Sequence, residues 1–169
     1  MQGVSSLQGK WLRLGYFPLI TLLVITGDQL AKKWVTTILM PSPFFDELLV
    51  FGGWLRFIYA TNKGVVFGFL LPQGIILTLS ILVIIAALFL VYRYSNSLLP
   101  VSASALLLGG TIGNLIDRVR FGWVIDFIDI RLFGGFHWPV FNLADSAIVL
   151  GVILLAYFFL QPKKHLKGG

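Results

Sequence analysis

The sequence contains no cysteine, which excludes a disulfide framework, a thiolate nucleophile and a cysteine metal site. Histidine is almost as scarce, with only His137 and His165. There is no HExxH pair for an intramembrane zinc protease, no GxSxG elbow, no histidine placed to serve Ser146, and no glycine-rich phosphate loop after a strand. Neither a metal nor a cofactor is expected. Charge is also in short supply, at 12% of residues against about 25% in soluble proteins. What fills the 169 residues instead is apolar: 57% hydrophobic, with a mean hydropathy of +0.90. A soluble domain of this size leaves too much chain at its surface to hide so many Leu, Ile, Val and Phe. A soluble globule and a disordered chain are therefore excluded, and residues 1–169 are expected to form a single membrane domain.

A spanning helix needs about 20 mostly apolar residues. Four candidates occur, over residues 14–34, 74–92, 98–116 and 140–160. Asp28, Lys32 and Lys33 intrude on the first, and Asn142 and Asp145 on the last. The second has no charge before Arg93, and the third is rich in Gly, Ala and Ser. The first has a basic lead, Lys10 and Arg13, but no small-residue cleavage pattern, and is read as a retained span. The fold expected is an all-α membrane protein, a bundle of four transmembrane helices.

The net charge of +6 would suggest nucleic acid in a soluble protein, but its distribution points to the membrane instead. Lys10 and Arg13 precede the first span, Arg93 sits between the second and third, and Lys163, Lys164 and Lys167 follow the fourth. None of these segments holds an acid; every Asp and Glu lies between Asp28 and Asp145. The positive-inside rule places both termini in the cytoplasm and the connections 35–73 and 117–139 outside. Aromatic residues such as Trp11, Trp34, Tyr92, Tyr94 and Trp138 flank the spans as an interfacial belt. Within the outer connections, residues 48–62 (LLVFGGWLRFIYATN) and 121–133 (FGWVIDFIDIRLF) are β-prone. They predict a small extracytoplasmic β platform, the plainer alternative being hydrophobic loops packed on the bundle.

Charges at membrane depth cost about 2.5–3.5 kcal/mol each, so they mark candidate functional positions. In DQLAK (28–32), Asp28 and Lys32 are one helical turn apart: either a local ion pair that ends the span or a buried support for a neighbouring site. In NKGVVFG (62–68), Asn62 and Gly64 mark either a turn into the second helix or a loop presenting the Asn62 amide to a ligand. In GGTIGNLIDR (109–118), the glycines allow close helix packing, and Asn114 and Arg118 share a face as donors to a polar ligand or as a polar helix end. Asp126, in VIDFI (124–128), lies among large apolar side chains. Asp145, in FNLADS (141–146), lies in an apolar helix on the same face as Asn142. Neither acid has a local counter-ion, although Asp145 could cap a helix or pair with Arg118.

Two carboxyls close together in a dry site cannot both ionise and share a proton. The ionised member can take a proton from water, and the protonated one can polarise a carbonyl. That is aspartic protease chemistry. Two other classes remain open at this point: a small proton-coupled carrier relaying protons through Asp28, Asp126 and Asp145, and a non-catalytic assembly factor, which explains neither acid.

The five groups, in this order, resemble the motif blocks of bacterial lipoprotein signal peptidase (signal peptidase II), over almost the whole chain. The resemblance implies an intramembrane aspartic endopeptidase of the bacterial cytoplasmic (inner) membrane, multi-pass, with its active site toward the outer face. It implies removal of the signal peptide from prolipoproteins, just before a diacylglyceryl-modified cysteine. It assigns the catalytic dyad to Asp126 and Asp145, not to Asp117. It matches Asp28, Lys32, Asn62, Gly64, Gly110, Asn114, Arg118 and Asn142 to substrate-binding or site-supporting positions. It further implies membrane lipid and the diacylglyceryl-prolipoprotein as partners, no nucleic acid, a monomer, and inhibition by cyclic peptides of the globomycin type. The chain departs from the family pattern at Lys63, Val65 and Val66, where Thr and small residues are usual, and this predicts an altered pocket wall.

Overall fold

In this computed structural model, residues 2–40, 47–64, 71–132 and 135–161 are described, with the side chains of 2–14 set aside. The order is α1 (Gln2–Leu39), β1 (Glu47–Val50), a short 3-10 turn (Phe51–Gly53), β2 (Leu55–Asn62), α2 (Gln73–Arg93), α3 (Leu98–Phe121), β3 (Val124–Ile130) and α4 (Leu143–Leu160). Val65 to Gly68 of the second motif, and Lys163, Lys164, His165 and Lys167 of the basic tail, lie outside the described residues.

Four long helices match the expected number. Three of them, α2, α3 and α4, are long and apolar enough to cross a membrane. The longer α1 carries Asp28, Lys32 and Lys33 in its second half. Burial sorts the three apolar helices. Two-thirds (67%) of the apolar stretch of α3 is buried, against 17% for α2 and α4, so α3 is the centre of the bundle. Its small residues make that position possible, because they let neighbouring backbones approach closely. A Cβ on Gly109 would lie 2.8 Å from the Val24 Cβ on α1, and one on Gly110 only 2.3 Å from the Ala144 carbonyl oxygen on α4. The outer helices expose Leu22, Leu23, Ile81, Leu82, Ile85, Phe89, Val149, Leu150 and Ile153. So large an apolar surface suits hydrocarbon rather than water.

Element ends differ from the hydropathy reading where polar groups find internal partners. α1 runs on to Leu39, so the Asp28–Lys32 pair does not end the helix. α3 continues to Phe121, five residues beyond the expected end, because the polar Asn114 and Asp117 are buried inside the protein. It stops at Gly122, whose left-handed backbone (φ 82°) returns its N–H to the Arg118 carbonyl at 3.0 Å. α4 begins at Leu143 rather than 140, because Phe141 is held in extended form and Asn142 is the N-cap.

The β-prone runs form a three-stranded antiparallel sheet, β1-β2-β3. Phe57 pairs with Ile128 and Ala60 with Asp126, so Ile58 and Tyr59 together face Phe127 in a bulge. The free side of β3 is closed by Phe141: its carbonyl accepts from the N–H groups of Phe127 (3.0 Å) and Ile128 (2.8 Å). Phe127 packs with Val35 and Leu39 of α1, and the Trp34 and Phe57 rings meet edge-on with centroids 5.9 Å apart. The sheet is thereby fixed at the end of the bundle where α1 and α3 finish and α4 starts.

Candidate active site

The polar core begins with one ammonium. Lys32 Nζ lies 2.8 Å from Asp28 Oδ2, 2.9 Å from Asp117 Oδ2 and 3.1 Å from Asn114 Oδ1. An ammonium has three protons, and all three have acceptors. Lys32, Asp28 and Asp117 are buried, so the charges stand without water only because each is paired. Each acid also holds backbone. Asp28 Oδ1 accepts from the Ala144 N–H (3.0 Å), one of the unpartnered amides of the first turn of α4. Asp117 Oδ2 accepts from the Ile125 N–H (3.1 Å), tying β3 to α3.

From this base two asparagines reach Asp126 and Asp145. Asn114 donates to Asp145 Oδ1 at 2.7 Å while its own oxygen accepts from Asn142 Nδ2 at 3.0 Å. Asn142 Nδ2 also donates to Asp126 Oδ1 at 2.7 Å. Asn142 and Asp145 form a capping box: the Asp145 N–H donates to Asn142 Oδ1 (2.8 Å), and the Asn142 N–H donates to Asp145 Oδ2 (3.2 Å). A fourth contact comes from β2, where Asn62 donates to Asp126 Oδ2 at 3.0 Å. Its amide is oriented by the Gly64 N–H, which donates to Asn62 Oδ1 at 2.9 Å. Asp126 and Asp145 thus come from a strand and a helix start that Phe141 ties side by side, and every carboxylate oxygen of the two is held by a donor.

Burial pushes the Asp126 carboxyl up, and the neighbouring Asp145 charge pushes it further; the Asn62 and Asn142 amides and Lys32 offset only part of this, leaving it at about 7. The cluster holds four carboxyls (Asp28, Asp117, Asp126 and Asp145) against two cations (Lys32 and Arg118), a balance that favours a retained proton. Two adjacent acids with held oxygens, one of them raised to about 7, are equipped for general acid–base hydrolysis.

A family described as Signal peptidase (SPase) II matches residues 20–161. The chain belongs to the signal peptidase II family. It is 43% identical over 154 residues to a lipoprotein signal peptidase of Moorella thermoacetica, covering 86% of this chain and 93% of that protein. It is 40% identical over 158 residues to one from Syntrophus aciditrophicus, covering 88% and 97%. Two solved structures described as a bacterial membrane enzyme determined by the in meso method align with TM-scores of 0.77 and 0.80. They are 32% and 31% identical, and the alignments cover 87% and 92% of this chain and 94% and 93% of theirs. Membership decides between the peptidase and carrier readings: the chain is a multi-pass membrane protease of signal peptidase II type.

The remaining expected positions of this signal peptidase II also gather here. Gly110 and Gly113 let α3 approach the start of α4; a Cβ on Gly113 would sit 2.8 Å from Asp28 Oδ2. Arg118 donates to the Gly64 carbonyl at 3.4 Å, steadying the turn that presents Asn62. It makes no ion pair with Asp145 among the described residues. Lys63 is exposed. Five contributors escaped the sequence reading. Gln29 spans Asp28 (3.3 Å), the Gly113 carbonyl (3.2 Å) and Asp117 (3.0 Å). On the sheet, Arg56 pairs with buried Asp129 and with Glu47, and His137 lies 3.1 Å from Asp129. Burial alone would raise the Asp129 carboxyl, but the His137 and Arg56 hydrogen bonds outweigh it and hold it below the usual carboxylate range. Asp129 stands three residues after Asp126, an odd step that puts the two on opposite faces of β3, so the strand pattern gave no signal for it.

Proposed function

We propose that Asp126 and Asp145 are the catalytic dyad with which this signal peptidase II removes the signal peptide from prolipoproteins, just before the diacylglyceryl-modified cysteine. The observation that carries the reading is Asn142, one side chain and backbone amide bonded to both carboxyls. In the resting state the proton the pair shares sits on Asp126. Asp145 takes a proton from water as the oxygen adds to the scissile carbonyl, and Asp126 gives its proton to the carbonyl oxygen. In the second step Asp145 passes its proton to the leaving amine, Asp126 recovers one from the gem-diol, and the C–N bond breaks. Both acids return to their starting states, and no metal or thiol enters.

In the same reading the chain is one domain with four spans, α1 included, and acts as a monomer. Lys10, Arg13, Arg93 and the basic tail face the cytoplasm, as their shared sign and the absence of acids beside them support. The sheet and dyad then lie at the outer face. Asp28, Lys32, Asn62, Gly64, Gly110, Asn114, Arg118 and Asn142 hold the dyad or meet the substrate. Cyclic peptides of the globomycin type compete with the substrate.

The test is incubation of the purified protein with a diacylglyceryl-modified prolipoprotein. Signal peptide release is expected from the unaltered chain and none from Asp126→Asn or Asp145→Asn, both of which remain folded in the membrane. Near-normal turnover by either variant would defeat the dyad.

A further inference from the structure

A cavity lies beside the polar core, apart from the two proposed catalytic acids. It is a groove of about 610 Å³ bounded by α1, the end of α3 and the sheet, and neither Asp126 nor Asp145 lines it. Its size falls within the range of about 300–1,000 Å³ typical of small-ligand sites. Three cations, Lys32, Lys33 and Arg120, and one acid, Asp117, line it, a net of +2. Lys32 spends all three protons on Asp28, Asp117 and Asn114, so the floor is closed and its charge is balanced. Lys33 and Arg120 differ. Both side chains are exposed, they stand on different helices, and neither makes an ion pair among the described residues. The rest of the lining is largely apolar, with Ile25 and Leu30 on α1 and Trp123 just before β3, alongside the hydroxyls of Thr26, Thr36 and Thr37.

We propose that this groove binds an anionic bilayer phospholipid, its headgroup phosphate held between Lys33 and Arg120 and its chains along the apolar wall. An ammonium and a guanidinium facing one groove can both make charge-assisted hydrogen bonds to a phosphate, and the guanidinium fork matches phosphate geometry. A free phosphate would leave the wall of Ile25 and Leu30 unused. The diacylglyceryl cysteine of the proposed substrate carries no phosphate for these two cations to pair with. The inference is independent of the dyad assignment.

The test uses the full chain in phosphatidylcholine nanodiscs, with dioleoyl-phosphatidylglycerol as the probe and native mass spectrometry to count retained lipid. Unaltered protein should retain the anionic lipid in preference to phosphatidylcholine. The K33Q/R120Q variant should bind it about 25-fold more weakly, a factor of about five for each cation lost. The charge-conserving K33R/R120K variant should retain it. Should the double variant fail to fold, Lys33→Gln and Arg120→Gln singly should each show the fivefold loss. Equal retention by unaltered protein and K33Q/R120Q overturns the proposal, as does equal retention of the two lipids. Displacement by millimolar inorganic phosphate overturns the lipid source, whereas unchanged retention in phosphate supports it.

Discussion

A single proton governs the proposed chemistry, and its site is Asp126, raised to about 7 chiefly by burial. Below that pH the pair keeps one proton; above it the proton leaves, and the acid needed at the carbonyl oxygen is gone. kcat/KM is therefore expected to fall as pH rises through about 7, a limb that belongs to the coupled pair. Asn62 donates to Asp126 and favours its ionised form. Asn62→Ala should move that limb to higher pH, and a pH–rate profile that stayed in place would count against the assignment. Asp117→Asn offers the contrast. An amide oxygen can still accept from Ile125, and Lys32 keeps Asp28 and Asn114, so measurable turnover is expected. Complete loss in a folded variant would mark the wrong acid as catalytic. At this scale the two proposed catalytic acids were legible because a charge without a local partner stands out in an apolar run. Gln29 and Arg56 were not, because the partners that give them meaning lie 88 and 73 residues away.

Helix and strand positions turn these residues into a site, and glycine sets the key distance. Alanine at Gly110 would bring a Cβ to 2.3 Å from the Ala144 carbonyl, so α4 must move, carrying Asn142 and Asp145 with it. Overpacking of this kind costs about 1–3 kcal/mol, and a displacement of about 1 Å at reacting groups costs on the order of 10²-fold in rate. Gly110→Ala is expected to lower both thermal stability in detergent and turnover. Gly74→Ala, on α2 with nothing within 4 Å of the added Cβ, should behave like the unaltered chain in both assays. Hydropathy found the helices because α2 and α4 face lipid along most of their length, and β-branched and aromatic runs found the strands. The bulge opposite Phe127 and the bonds to Phe141 were hidden, since register depends on pairing between segments rather than on either segment alone.

At the scale of the whole molecule, the proposed substrate arrives within the bilayer. Burial of an acyl chain yields about 0.8 kcal/mol per CH₂ relative to water, a gain already present in the membrane. The lipid on the substrate must therefore act by fixing depth and register. Single-turnover cleavage in bilayers is expected to be much slower for the unlipidated prolipoprotein; equal rate constants would defeat this positioning role. Chelators and thiol alkylators should leave turnover unchanged, because the chain offers no cysteine and no histidine pair spaced as ligands; inhibition by a chelator that zinc reversed would overturn the aspartic mechanism. One contact also sets an order of events. Asp28, on the first helix, caps the first turn of the last helix across 116 residues of sequence. During synthesis nearly the whole chain must emerge and insert before that bond can close. A truncated or half-inserted chain lacks the support beneath Asp145, so in the proposed mechanism hydrolysis waits until both ends of the bundle have met.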